Sequence, residues 1–127
     1  MNDKALNKYK NVILEQKCMY GYSHRSKLEY SVCQIIHFRE MAGELKHLQH
    51  EDHVKLSGWY TYIPDFKCLD LKTNQEFWIE AKGKADGRWP STKKGWKHSG
   101  PGILEIWGGS YVSPVLIETI VPKQRIT

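Results

Sequence analysis

The sequence predicts an α/β domain with a mixed central β-sheet flanked by helices. Segment 26–41 has apolar residues at helical spacing. Segment 59–81 contains two apolar runs separated by a polar break, as a β-hairpin does. A compact apolar run at 103–107 is typical of a further strand. We therefore expect a central sheet of four or five strands, with the first helix packed on one of its faces.

The predicted helix covers 26–41, and Gly43 marks its end because glycine readily takes the left-handed conformation. Its expected core face consists of Leu28, Val32, Ile35, Ile36 and Met41. Ser26 and Glu29 also have the spacing of a capping box, in which Glu29 would only bind the helix backbone. That interpretation of Glu29 competes with a role in a metal site.

The strands predicted from the pattern lie at 44–49, 53–56, 59–71, 75–81, 103–107 and 115–121, with a turn at 108–110. The residues expected in the hairpin core are Ile63, Phe66, Leu69, Leu71, Phe77 and Ile79. Because side chains alternate along a strand, Trp78 is expected on the same face as Glu80.

The composition is that of one folded domain. Of the 127 residues, 40% are hydrophobic and 26% are charged, which fits a globular chain rather than a disordered one. We expect a single domain over 1–127, with 1–22 as an N-terminal arm or helix. The net charge of +5 favours an anionic partner. No signal peptide and no apolar run near the ~20 residues of a membrane span are recognisable, so we expect a cytoplasmic protein without a membrane partner.

The cysteines and histidines do not show the spacing of a metal site. Cys18, Cys33 and Cys68 are odd in number and include no Cys-x-x-Cys pair, which predicts reduced thiols rather than disulfides or structural zinc. Three histidines, at 47, 50 and 53, lie close together with acids around them. Without zinc-ligand spacing, they are predicted to lie at a solvated strand–loop–strand junction.

The hairpin carries acids that a plain hairpin does not need. Glu80 and Lys82 project from the same side of a strand, and pairing around 72–75 brings Asp65 to that end. Two close carboxylates repel unless a cation neutralises them or one stays protonated, and such oxygen ligands suit Mg²⁺. The alternatives are that Asp65 is a turn residue after Pro64 and that Glu80 and Lys82 form a surface ion pair.

These motifs resemble those of the PD-(D/E)-x-K nuclease superfamily. The matching residues are Pro64-Asp65 and Glu80-Ala81-Lys82-Gly83, with Leu28-Glu29 upstream. The order of the motifs is similar to that in phage junction-resolving endonucleases and related small phage proteins. The resemblance implies a restriction-endonuclease-like core and a metal-dependent endodeoxyribonuclease that hydrolyses phosphodiester bonds, with branched DNA such as Holliday junctions as one substrate class.

The resemblance also implies roles for individual residues. Glu29, Asp65, Glu80 and Lys82 would be catalytic. Asp65, Glu80, the Ala81 carbonyl and Glu29 would bind Mg²⁺, with Mn²⁺ as an alternative ion, and Lys82 would orient the attacking water. Junction resolution calls for two active sites and therefore a homodimer, and a phage-encoded enzyme would act in the host cytoplasm.

A basic segment follows the hairpin, and its predicted structure is a loop with a short helix. The residues expected to bind DNA are Lys84, Arg88, Lys93, Lys94 and Lys97, together with Arg25. Trp89 and Trp96 are interleaved with them and could stack on bases, although at least one is expected in the core. The alternative is an ordinary solvated loop.

Two other functions are compatible with the same sequence. One is a non-catalytic nucleic-acid-binding module on a nuclease fold, which would keep the basic segment without needing all four site residues. The other is a phage adaptor protein that binds a host enzyme and has no affinity for DNA.

Overall fold

The computed structural model describes residues 17–56, 60–84 and 86–123. The helices there are α1 (Lys27–Met41) and α2 (Trp89–Ser99). The strands are β1 (Leu45–His50), β2 (Val54–Lys55), β3 (Thr61–Tyr62), β4 (Phe66–Asp70), β5 (Gln75–Ala81), β6 (Ile103–Ser110) and β7 (Ser113–Ile120). Neither helix of the described segments has both the length and the apolar content that a membrane crossing requires.

A five-stranded mixed sheet forms the centre of the fold, in the order β1-β4-β5-β6-β7. Neighbouring strands are antiparallel except β5 and β6, which are parallel and connected by α2. The register pairs Phe77 with Ile103 and Ala81 with Trp107. The predicted α/β class and strand number are therefore confirmed, whereas a restriction-endonuclease-like core stays a prediction.

Each face of the sheet has its own core. On one face, Val32, Cys33 and Ile36 of α1 pack with Phe77 and Ile79 of β5. On the other face, Trp96 of α2 packs with Trp78, Leu104 and Ile106. Because β5 contributes to both faces, the sheet is covered on both sides along this central strand. Trp78 thus lies on the α2 face, which is the side that strand alternation assigns to Glu80.

Helix α1 begins where the sequence predicts. Ser26 is its N-cap and accepts a hydrogen bond from the Glu29 N–H at 3.0 Å, and Gly43 follows the helix with a φ of +79°. The prediction that Met41 is in the core is wrong, because its side chain is 71% exposed. The inward position of this last turn is taken by Glu40, which accepts hydrogen bonds from the Tyr20 hydroxyl and the His47 N–H.

The strand predicted over 59–71 is instead divided into β3 and β4. Pro64 has no N–H to donate to a ladder, and the Asp65 N–H donates to the Glu80 side chain. Ile63 lies beside this break and is 44% exposed, so its predicted place in the core is wrong.

The predicted hairpin core is confirmed in its centre and wrong at its outer end. Phe66, Phe77 and Ile79 are buried, and Leu69 is half-buried. Leu71 is 48% exposed because it lies outside the ladder, in the turn between β4 and β5.

The turn predicted at 108–110 is also wrong, because β6 continues to Ser110 and the chain turns at Tyr111-Val112. Gly108 instead allows close packing of the strand. A Cβ atom on Gly108 would lie 2.5 Å from Ile117 Cδ1 and 2.7 Å from the Lys82 carbonyl oxygen. Glycine at this position lets β6 approach both β7 and the end of β5.

The expected N-terminal arm over 1–22 falls mainly outside the described residues. Of its last residues, 19–21 form a tight turn in which the Cys18 N–H donates to the Tyr22 carbonyl at 2.8 Å. Cys18 is buried against the α1 face of the sheet, so this part of the segment belongs to the domain rather than to a free arm.

Substitution of Gly102 by alanine should destabilise the fold. The new Cβ atom would lie 2.9 Å from both the Glu76 carbonyl oxygen and the ring of buried Trp78. We expect a loss of about 1–3 kcal/mol in the free energy of unfolding, measured by urea denaturation. Gly87→Ala is the matched control, since nothing lies within 4 Å of its Cβ position. Equal stability of the two variants would contradict this packing.

Candidate metal and active site

Asp65 and Glu80 bind each other's backbone where β4 begins and β5 ends. The Asp65 N–H donates to Glu80 Oε1 at 3.1 Å, and the Ala81 N–H donates to Asp65 Oδ2 at 2.9 Å. These two hydrogen bonds fix both carboxylates at one point. The sequence-based expectation that the hairpin brings Asp65 and Glu80 together is therefore correct.

Lys82 lies beside this acid pair. Its Nζ is 3.8 Å from Glu80 Oε2 and 4.7 Å from the centroid of the Trp89 ring. The side chains of Lys82 and Glu80 are only 17% and 12% exposed, so a solvated surface ion pair does not describe them. The indole face holds the ammonium group next to the carboxylates.

The two carboxyl groups hold protons unusually strongly. Burial and the negative charges of Glu80 and Glu29 raise the pKa of Asp65 well above its usual range. Burial raises the pKa of Glu80 to about 7, with a further increase from the charge of Glu29, although Lys82 opposes this shift. Without a cation, the pair therefore retains protons near neutral pH.

Tyr62 is a site residue that sequence reasoning did not identify. Its hydroxyl is buried and lies beside the Glu80 carboxylate. Burial, followed by the charges of Glu80 and Asp65, raises its pKa, so the phenol stays protonated beside the acid pair. Its position two residues before Pro64, in Tyr-x-Pro-Asp, was the available signal. A protonated phenol here can donate a hydrogen bond.

Glu29 is near the acid pair but is held by another residue. Its Oε2 lies 2.6 Å from His24 Nδ1, so the carboxylate does not bind the helix backbone as the capping alternative supposed. Its negative charge raises the pKa of both Asp65 and Glu80. Asp65, Glu80 and Lys82 thus lie together, and the charge of Glu29 affects the pKa of the two acids.

The predicted DNA-binding residues lie in two regions, one before the two helices and one along α2. Arg25 lies two residues before α1, and Lys84 and Arg88 lie between β5 and α2, all exposed. Arg88 lines the groove that also contains Lys82 and lies 5.8 Å above the Tyr60 ring. Arg25 and Lys84 lie close in sequence to Leu28 and Gly83, and a Cβ atom on Gly83 would be 3.6 Å from Leu28.

The other three predicted residues lie further along α2. Lys93 forms an ion pair with Glu118 at 2.7 Å. Lys94 and Lys97 border a groove of about 320 Å³ with Lys123. This part of α2 leads to the start of β6, the opposite end of the sheet from Ala81.

The interpretation of 47–53 as a solvated loop is wrong for two of its histidines. His47 and His50 belong to β1, and His50 is 5% exposed, whereas His53 is exposed and outside a strand. The register shift between His47 and Gln49 changes the alternation of β1. Both rings consequently face the same way and contact each other, with His47 Nε2 2.9 Å from His50 Nδ1.

A small groove of about 240 Å³ opens next to the acid pair. It lies between β3 and the start of α2, and Tyr62, Lys82, Arg88 and Trp89 are among its lining residues. Polar, cationic and aromatic groups therefore meet at the entrance to the site, which suits an anionic ligand with stacking groups.

No protein-family model, curated protein or solved structure matches this chain.

Glu80→Gln should change how stability depends on pH in metal-free protein. Because the pKa of Glu80 is raised from 4.5 to about 7 on folding, wild type binds extra protons in this window and loses stability as pH rises through it. The amide does not titrate, so the variant should gain on the order of 1–3 kcal/mol relative to wild type across the window. Urea denaturation at several pH values with a chelator measures this difference.

The control for this comparison is Glu76→Gln, on the same strand but 49% exposed. Burial lowers the pKa of His47 and His50, so these two residues make the protein more stable as pH rises, in contrast to Glu80. Because every protein compared contains both histidines, their contribution cancels in the difference between variant and wild type. Parallel stability curves for wild type and Glu80→Gln would show that Glu80 ionises normally.

Proposed function

We propose that this chain is an Mg²⁺-dependent endodeoxyribonuclease with Asp65, Glu80 and Lys82 at its active site. The observation that carries the proposal is the contact of two desolvated carboxylates at a strand end, with an ammonium group 3.8 Å from one of them. A purely structural pair gains little from an arrangement that raises the pKa of both acids. A divalent cation would remove this cost, which favours a metal site.

The residues present fit Mg²⁺. Each acid uses one oxygen for a backbone N–H, which leaves Asp65 Oδ1 and Glu80 Oε2 as hard ligands. As the resemblance implies, the Ala81 carbonyl would be a further ligand, and Glu29 would complete the site or support a second ion. When bound, Mg²⁺ would supply charge neutralisation at the phosphoryl oxygens and a more acidic water.

The remaining groups have roles that follow from their positions. Lys82, held against Trp89, would orient the attacking water and stabilise negative charge. The buried Tyr62 hydroxyl, which lies beside the Glu80 carboxylate, would donate to that carboxylate or to a ligand oxygen. The Lys82 N–H donates to the Trp107 carbonyl of β6, and Tyr62 lies on β3, which pairs with β2, so both positions are held by backbone hydrogen bonds.

Binding of DNA would begin at the basic rim formed by Arg25, Lys84 and Arg88. The phosphates would lie across the groove between β3 and α2, with Tyr60 and Trp89 available for stacking. Lys94 and Lys97 would contact backbone further away, and Lys93 would first have to leave Glu118. Branched DNA as the substrate and a homodimer as the active form belong to this proposal.

Cleavage assays with Mg²⁺ test the catalytic assignment. Wild type should cut at least one of supercoiled, linear, flapped and four-way DNA. Asp65→Asn, Glu80→Gln and Lys82→Ala should lose on the order of 10²–10⁴-fold in rate, because each removes a ligand or a charge-stabilising group. Glu76→Gln, at the other end of β5, and Lys46→Ala, on β1, are matched controls and should keep full activity.

Equal cleavage by all these proteins would contradict the assignment. Tight DNA binding without cleavage by wild type on any substrate would instead favour the non-catalytic nucleic-acid-binding module. Absence of both binding and cleavage would favour the adaptor function.

The salt dependence of DNA affinity tests the basic rim. Each phosphate contact contributes about 0.9 to the slope of log affinity against log salt concentration. Lys84→Ala and Arg88→Ala should each reduce that slope by about one and weaken binding similarly for all sequences. Fluorescence anisotropy with labelled duplex measures the slope, and Lys46→Ala should leave it unchanged. An unchanged slope in both rim variants would place the DNA elsewhere.

A further inference from the structure

Four buried metal-ligating side chains converge beneath the start of α1. They are Cys18, His24, Cys33 and His50, and one ligand atom from each lies within 4.8 Å of those from the others. None of the four is more than 6% exposed. Cys18 and His24 both lie before α1, at the turn over 19–21 and in the loop between that turn and the helix. Cys33 is in the second turn of α1, and His50 ends β1. This group, called here the Cys/His cluster, is separate from the acid pair.

The hydrogen bonds of the two imidazoles show which nitrogen faces the cluster. His24 Nδ1 is bound to Glu29, and His50 Nδ1 is bound to His47 Nε2. The remaining nitrogens are the two Nε2 atoms, and that of His50 lies 3.7 Å from Cys33 Sγ. Two nitrogens and two sulfurs therefore point toward one another.

His24 Nε2 provides an independent indication of a ligand. It is buried and has no nitrogen or oxygen partner within the described segments, and its polar neighbour is the thiol of Cys18, another member of the cluster. A buried imidazole nitrogen without such a partner costs free energy, on the order of 1–3 kcal/mol. Coordination of a cation by its lone pair would remove that cost.

We propose that Cys18, His24, Cys33 and His50 bind one Zn²⁺ ion as a tetrahedral Cys₂His₂ site. Zinc bonds of about 2.3 Å to sulfur and about 2.0–2.1 Å to nitrogen place tetrahedral sulfur and nitrogen ligands about 3.6 Å apart. The separation of 3.7 Å between Cys33 Sγ and His50 Nε2 matches this value. Binding would require both thiols as thiolates and both imidazoles as neutral rings, so it would release the protons that these four groups carry in the metal-free protein.

The surroundings of the cluster are those that zinc ligands require. A ligating histidine commonly donates its other N–H to a carboxylate, which fixes the ring and makes it a better ligand. The hydrogen bond of 2.6 Å between His24 Nδ1 and Glu29 Oε2 has this form. Tyr22 stacks on His50 with ring centroids 3.7 Å apart and fixes the second imidazole.

The proposed ion would have a structural function that does not depend on DNA cleavage. All four positions are taken by protein ligands, so no position is left for a substrate, as is usual for structural zinc. It would attach the segment before α1 to both α1 and β1. Through His24 it would also fix Glu29, the acid whose charge reaches Asp65 and Glu80.

Metal content and Co²⁺ spectroscopy of the full chain, kept reduced, test the proposal. Wild type should bind one Zn²⁺ per chain. The Co²⁺ form should show the intense visible bands of tetrahedral cobalt and a thiolate charge-transfer band. Cys33→Ala keeps only one thiolate ligand, so its charge-transfer band should be clearly weaker, and it should bind zinc more weakly by more than the 10–100-fold that an outer-partner substitution costs. Cys68→Ala is the matched control, since Cys68 is equally buried but outside the cluster.

Several outcomes would overturn the proposal. One is wild-type protein that binds no zinc at micromolar metal, or whose Co²⁺ spectrum lacks tetrahedral and thiolate bands. Another is undiminished binding by folded Cys33→Ala. A disulfide between Cys18 and Cys33 that persists under reducing conditions, detected by mass spectrometry, would also exclude the site. The wild-type spectrum is decisive if Cys33→Ala does not fold. Glu29→Gln should keep the spectrum and weaken zinc affinity about 10–100-fold.

Discussion

The mutual binding of Asp65 and Glu80 is the constraint on which the rest of the candidate site depends. Each carboxylate accepts a hydrogen bond from the backbone next to the other acid, so neither can move away to relieve their repulsion. Pro64 lies in the break between β3 and β4. The Asp65 N–H, which is outside both strands, donates to the Glu80 carboxylate. The parallel pairing of β5 and β6 requires the crossover helix α2, and its first residue, Trp89, lies against Lys82 at the same strand end. The break between β3 and β4 and the crossover helix α2 together bring two carboxylates and one ammonium group into a desolvated site.

Glu29 connects this point to the Cys/His cluster. One carboxylate contacts His24 and also contributes charge to the acid pair, so both candidate sites depend on the start of α1. The N-cap hydrogen bond that the Glu29 N–H donates to Ser26 Oγ fixes the backbone of Glu29 at this position. In this domain of 127 residues, the capped start of α1 therefore positions residues of both candidate sites.

The parts of the fold that could be predicted from sequence are those that local pattern determines. Helix α1, the hairpin and the meeting of Asp65 with Glu80 follow from periodicity and turn position. The extent of β6 could not be predicted in this way, because Gly108-Gly109 resembles a turn, whereas Gly108 lies within the strand and packs closely against Ile117. Met41 and Leu71 were assigned to the core by hydrophobicity, although each lies just beyond the packed part of its element. The Cys/His cluster could not be predicted by spacing, since its ligands converge only through the fold and a bulge in β1 turns His50 inward.

The central claim is that Asp65 and Glu80 together hold a divalent ion. Anomalous diffraction from crystals grown with Mn²⁺, collected above the manganese absorption edge, tests it most directly. The account predicts a peak at bonding distance, about 2.0–2.3 Å, from one oxygen of each acid, and its loss in crystals of Asp65→Asn. Full-occupancy manganese elsewhere, or no peak between these carboxylates at saturating metal, would contradict it.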